Sequence, residues 1–169
     1  GAFRPLALEL RFGFDAPAGD GGADDGRDRA ADGDGAGRAL PPLVLGDGAL
    51  RLRGAIDRVD VDAAGRALVR DYKSGRVRER EWPVAKWAEA DQLQVALYLV
   101  AARALLGREP AGAVYQPLRG DDLRARGVVR DDVEVGGLVH PRDRRSREEL
   151  AAALDAAAAR ACELAAQLR

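Results

Sequence analysis

Two aspartates and a lysine are the residues whose types and spacing could do chemistry: Asp57 in "GAIDRVD", and Asp71 and Lys73 in "VRDYKSG". The chain contains 25 arginines and only two lysines, Lys73 and Lys86. Arginine is a planar fork that is never deprotonated, whereas lysine is a compact, mobile point charge suited to a small reacting group. The loop Ala63-Ala64-Gly65, with Gly65 left-handed, predicts a hairpin closed by a type I turn and a glycine bulge. Asp62 then lies across from Arg66, and the same pairing, followed back along both strands, sets Asp57 opposite Asp71. Directly opposed side chains have Cβ atoms about 4.5–5.5 Å apart, and like charges there repel. Lys73 shares the face of Asp71, about 7 Å further along its strand. Two facing carboxylates are poor for stability unless a cation sits between them. Magnesium suits such a place, since it takes one or two carboxylates and completes its shell with water and phosphate oxygens. Lys73 would stand next to a metal-bound water or the attacked phosphate, where a compact cation can orient the nucleophile, help lower its pKa or stabilise developing charge. A slip of one residue would instead put the carboxylates on opposite faces. They would then be solvated and pair with Arg58, Arg70 or Lys73.

The elements that must position this group follow from pattern. "PLALELRFGF" alternates Leu6, Leu8, Leu10 and Phe12 against Ala7, Glu9 and Arg11, the period of a half-buried strand. Residues 15–42, rich in Gly, Asp and Ala, lack the bulky apolar side chains that offset ordering entropy and read as a flexible insertion. Their acidic residues do not have the spacing of a calcium loop. "LRLRGAIDRVDVD" and "RALVRDYK" form the two hairpin strands. "AEADQLQVALYLVAARALLG" predicts a helix stopped at Gly107, and "AGAVYQPL" a further strand. Residues 127–135 could add an edge strand. "SREELAAALDAAAARACELAAQLR" is a long helix with Ser146 and Glu149 in the capping-box relation. The order strand, insertion, strand, strand, helix, strand, helix predicts a single α/β domain spanning residues 1–169, without the alternating repeats of a doubly wound fold.

Composition bounds the function. The 169 residues are 47% hydrophobic and only 5% aromatic, and the net charge is −1. A nucleic-acid partner would therefore need a local basic patch. One cysteine, Cys162, excludes an internal disulfide and a four-cysteine iron–sulfur cluster within this chain. No apolar run is long enough to span a membrane. The absence of any methionine predicts a piece of a longer, cytoplasmic polypeptide.

Taken in order, "GAIDRVD" at 54–60, "VRDYKSG" at 69–75 and "QLQVALYLVA" at 92–101 resemble the PD-(D/E)XK nuclease superfamily, and within it the RecB/AddB-like nuclease domains of bacterial helicase–nucleases. The last element carries Gln94 and Tyr98 at the family's Gln-x-x-x-Tyr spacing. The resemblance implies a restriction-endonuclease-like core: a central mixed sheet flanked by helices, with the active site on a hairpin. It implies that Asp57, Asp71 and the backbone carbonyl of Tyr72 bind catalytic Mg2+, with Mn2+ as a possible substitute, and that Lys73 is the catalytic lysine. Glu9, in an acidic first-strand segment similar to the family's, would reach the metal through water. Gln94 and Tyr98, one turn apart on a helix face, would help hold DNA. Arg58 and Arg76 would contact phosphates, with Arg51, Arg53, Arg78 and Arg80 nearby. Trp82 and Trp87 would either stack on bases or pack the linker onto the core. The implied activity is magnesium-dependent hydrolysis of DNA, on single strands supplied by a helicase domain or subunit, in double-strand break processing and recombinational repair. The other reading is a non-catalytic module that binds DNA or scaffolds a helicase complex.

Overall fold

The structure, a computed structural model, describes residues 2–14, 40–74, 87–89, 91–136 and 139–168. Strands β1 (Arg4–Phe12), β4 (Gly54–Val61), β5 (Ala67–Lys73), β6 (Pro110–Pro117), β7 (Arg126–Arg130) and β8 (Arg144–Arg145) form one sheet, ordered β1-β4-β5-β6-β7-β8. A separate two-stranded ribbon pairs β2 (Leu43–Leu45) with β3 (Leu50–Leu52). Helices α1 (Gln94–Leu106) and α2 (Arg147–Gln167) complete the chain. The sheet is mixed. The pairs β1/β4, β4/β5 and β6/β7 are antiparallel, while β5/β6 and β7/β8 are parallel. A parallel β5–β6 pair needs a crossover, and α1 supplies it. The α/β class and the run of hairpin, helix, strand and final helix are those the sequence predicts, and the mixed sheet flanked by helices is the restriction-endonuclease-like core. But "LRLRGAIDRVDVD" is not one strand, since it divides into β3 of the ribbon and β4 of the main sheet, and β2 and β8 are additional.

Each face of the sheet has its own apolar cluster. One joins Leu10, Phe12, Ile56, Val59 and Val69 to Leu99 of α1 and Leu154 of α2. The smaller one joins Leu68, Val114 and Val129 to Val133, Val135 and Val139. Residues 67 and 69 of β5 thus face the helices and residue 68 faces away, as strand alternation requires.

Three further expectations are corrected here. In β1, Leu8 is 65% exposed while Ala7 is buried with Leu10 and Phe12. The cause is Glu9, whose φ of +48° breaks the strand's alternation and shifts its phase. Helix α1 begins at Gln94, not in the 80s, because Asp91 takes a φ of +55° and Gln92 N donates to Trp87 O at 2.8 Å in a preceding turn. The segment 127–135 gives β7 from Arg126 to Arg130, which β8 flanks, so β7 is not an edge strand. The predicted insertion at 15–42 lies outside the described residues up to position 39. At its end, Leu40 bridges to Phe12.

Candidate active site on the central hairpin

The hairpin has the expected turn. Gly65 has φ +76°, its N–H donates to Asp62 O at 3.0 Å, and Asp62 N donates to Arg66 O at 3.1 Å. The Asp62 carboxylate fixes the loop by accepting from Ala64 N at 3.0 Å, Arg66 N at 2.9 Å and Arg66 Nε at 2.6 Å. Burial alone would raise the Asp62 pKa, but the Arg66 N–H and guanidinium, with the Ala64 N–H, hold it below the usual carboxylate range. The register that follows pairs Val61 with Ala67, Val59 with Val69, and Arg58 with Arg70.

At the next position the backbone ladder stops and a side chain takes over. Asp57 Oδ2 accepts the Tyr72 N–H at 2.8 Å, so this carboxylate is wedged against the β5 backbone beside Asp71. Asp71 is 3% exposed. Burial pushes its carboxyl above the usual range; Lys73 draws it back, and the Asp57 charge adds to the rise. Lys73 Nζ stands 2.6 Å from Asp71 Oδ2. Asp71 Oδ2 is buried, and the Lys73 ammonium is its partner.

The lysine is held from three sides. Its Nζ donates to Gln94 Oε1 at 3.2 Å, and it lies 5.1 Å from the centre of the Tyr115 ring. Gln94 Nε2 in turn donates to the Tyr98 hydroxyl at 3.3 Å. Tyr98 reaches this position because Gly54 has no side chain: a Cβ there would fall 2.9 Å from Phe12 Cζ and 3.2 Å from Tyr98 Cε1. The Phe12 and Tyr98 rings meet edge to face, 6.4 Å apart. Asp71, Lys73, Gln94 and Tyr98 therefore form one connected chain of contacts from β5 to α1.

Other predicted residues are placed elsewhere. Arg58 does not join the group. Its Nε is bound to Asp60 Oδ1 at 2.6 Å and its Nη1 donates to the Tyr72 hydroxyl at 3.4 Å. Asp60, fully buried, also accepts from Arg70 Nε at 2.8 Å. The second aspartate of "DRVD" thus bridges the directly opposed Arg58 and Arg70, and among the described residues neither arginine pairs with Asp57 or Asp71. Glu9 is exposed on β1, between the pairs Leu8–Arg58 and Leu10–Ile56. Among the described residues no three His, Cys, Asp or Glu side chains gather as a metal cluster, so Glu9 is not brought into one group with the two aspartates. Trp87 is 1% exposed within the helix-side core, which settles it as packing. Arg76 and Trp82, with Arg78 and Arg80, lie outside the described residues. Tyr115 was not foreseen. It sits opposite Asp71 on β6 through a parallel pairing whose register no local sequence signal announces.

A facing pair of carboxylates with a lysine two residues beyond the second is the constellation that the sequence resemblance rests on. The PD-(D/E)XK nuclease superfamily profile matches residues 1–169. The chain belongs to this superfamily. Two curated relatives are similar to it, and each is named as a subunit of an ATP-dependent helicase/deoxyribonuclease. The one from Symbiobacterium thermophilum is 35% identical over 80% of this chain and 12% of its own length. The one from Moorella thermoacetica is 32% identical over 98% of this chain and 17% of its own length. The chain thus spans less than a fifth of either relative. In this PD-(D/E)XK nuclease-superfamily member, Asp57 and Asp71 with Lys73 lie on adjacent antiparallel strands, where their ladder ends. Among the described residues no helix is long and apolar enough to cross a membrane.

Proposed function

We propose that this chain is a metal-dependent DNA nuclease domain that hydrolyses phosphodiester bonds, with Asp57, Asp71 and Lys73 as its catalytic residues. The single observation that carries the reading is Asp71: a buried carboxylate, raised in pKa by its burial, beside the charge of a second carboxylate and in contact with the Lys73 ammonium. That donor set fits a small hard cation. PD-(D/E)XK nucleases generally use divalent metal ions, and Mg2+ is the ion proposed here. Asp57, Asp71 and the Tyr72 carbonyl would hold it, and when bound it would offset their negative charge and that developing on the phosphate.

The remaining roles belong to the chain's own side chains. Lys73, steadied by Gln94 and the Tyr115 ring, directs its ammonium at a phosphate oxygen beside Asp71 and stabilises charge as water adds to phosphorus. The attacking water gives up a proton to solvent, one ester P–O bond breaks, and the leaving oxygen takes up a proton from solvent. Gln94 and Tyr98 form the wall along which a DNA strand would lie. Arg76 is proposed as a phosphate contact. Glu9 would act only through an intervening water. The names of the relatives support a helicase domain or subunit as partner. Single-stranded DNA as substrate, double-strand break processing as context and the cytoplasm as location are further parts of the proposal.

The test is cleavage of single- and double-stranded DNA by the full-length protein with and without Mg2+. Lys73→Ala and Asp71→Ala should each reduce cleavage by about 10²–10³-fold. If both variants cut like the wild type, the assignment fails. Metal-independent binding with no cleavage by the wild type would identify a non-catalytic DNA-binding or scaffolding module.

A further inference from the structure

At the opposite end of β5 from Lys73 lies a cavity of about 380 Å³, walled by four arginines, Arg103, Arg108, Arg130 and Arg147, against a single carboxylate, Glu109. Its position is fixed by Ala67 N, which donates to Glu109 O at 2.8 Å at the start of the strand. A seven-residue strand spans about 20 Å, so this cavity is remote from the catalytic lysine. The four guanidiniums come from the last turn of α1, the loop after it, the end of β7 and the first turn of α2. Buried Leu150 and Leu154 form the floor.

The local charges do not balance. Arg130 is bound to Glu109 at 2.6 Å and to Asp132 at 2.6 Å, and Arg147 shares the same Glu109 oxygen at 2.9 Å. Arg103 has only a loose approach to Asp155, at 3.8 Å. Arg108 Nε is buried without a hydrogen-bond partner among the described residues. A buried donor left unpaired costs about 1–3 kcal/mol, and more when the group is charged. The only other such donor among the described residues, Trp87 Nε1, sits in the packed core beside no comparable cation cluster. Arg108 instead stands in the wall of a space large enough for a small ligand. Several guanidiniums from different elements with one shared carboxylate suit a group that brings at least two negative charges and several acceptor oxygens, and phosphate has both.

We propose that this cavity is a second, non-catalytic phosphate-binding site that takes the terminal phosphate of a nucleic-acid strand or of a free nucleotide. It does not depend on the catalytic reading. The experiment uses full-length protein carrying Lys73→Ala, in metal-free buffer, so that the hairpin site contributes nothing. Titration with inorganic pyrophosphate should show binding that Arg108→Met and, separately, the more exposed Arg103→Gln each weaken about 10-fold or more. The second variant keeps the test open if the first does not fold. Tighter binding of a 5′-phosphorylated oligonucleotide than of its 5′-hydroxyl twin would identify the strand end as the source. Equal binding of the twins, with competition by ATP, would identify a nucleotide. Absence of pyrophosphate binding, binding indifferent to both substitutions, or equal displacement by polyglutamate would overturn the proposal.

Discussion

Asp71 is placed at a cost to the fold. Its carboxyl is buried, it faces the charge of Asp57, and its pKa lies above the usual carboxylate range. Well below the usual carboxylate range Asp71 is protonated folded or unfolded and carries no penalty. As pH rises through the raised value, the folded state must ionise a group that it holds more reluctantly than the unfolded chain does, so stability is lost. The penalty builds as pH rises from the ordinary carboxylate pKa towards the raised one. Asp71→Asn should therefore raise the urea midpoint at pH 7 while abolishing cleavage, and the gain should shrink towards zero as the pH falls below the ordinary carboxylate range. Lys73 tolerates the change because its side chain is 34% exposed and keeps Gln94 as a partner. An unchanged or lowered midpoint at pH 7 would mean that the ion pair with Lys73 outweighs burial, and that Asp71 is held for structure.

Elements matter here through how closely they approach. Gly54 opens β4 where α1 lays Tyr98 against the sheet, and an added methyl would meet the Phe12 and Tyr98 rings at 2.9 and 3.2 Å. Gly54→Ala should push Tyr98 outward, loosen the contacts through Gln94 to Lys73, and cost about 1–3 kcal/mol of stability. Cleavage should fall further than the loss of folded protein explains, which activity per folded molecule from a circular-dichroism titration would reveal. The hairpin was legible because its determinants are local: a three-residue loop ending in glycine, and strand alternation on either side. Gln94 and Tyr98 were legible for the same reason, through helical spacing. The parallel β5–β6 register, which brings Tyr115 beside Lys73, depends on how a whole helix crosses the sheet and leaves no mark in either strand. The position of Asp60 beneath Arg58 and Arg70 shows which face the arginines take, and the sequence alone left that open. Glu9 misled for another reason: a positive φ in a glutamate has no propensity signal, yet it inverted the faces of Leu8 and Ala7.

The two strands bearing the acidic pair are interior to the six-stranded sheet, with β1 on one side and β6 on the other. Ion binding between them should therefore stabilise the centre of the molecule rather than a peripheral loop. A ligand that binds only the folded state stabilises it by about 2.7 kcal/mol at a concentration 100 times its Kd, roughly a 100-fold fall in the population of open forms. In the full-length protein, other domains would blur a single melting temperature, whereas hydrogen exchange reads each segment separately. Mg2+ should slow exchange in peptides covering residues 54–73, and more weakly in those covering α1, whose Gln94 contacts Lys73. Peptides from α2, across the core from the hairpin, should change least. The double substitution Asp57→Asn, Asp71→Asn should remove the effect while raising protection in the absence of metal, since it also removes the repulsion that the ion would relieve. Uniform slowing across all peptides, or slowing that survives the double substitution, would place the ion elsewhere and separate the acidic pair from any metal chemistry.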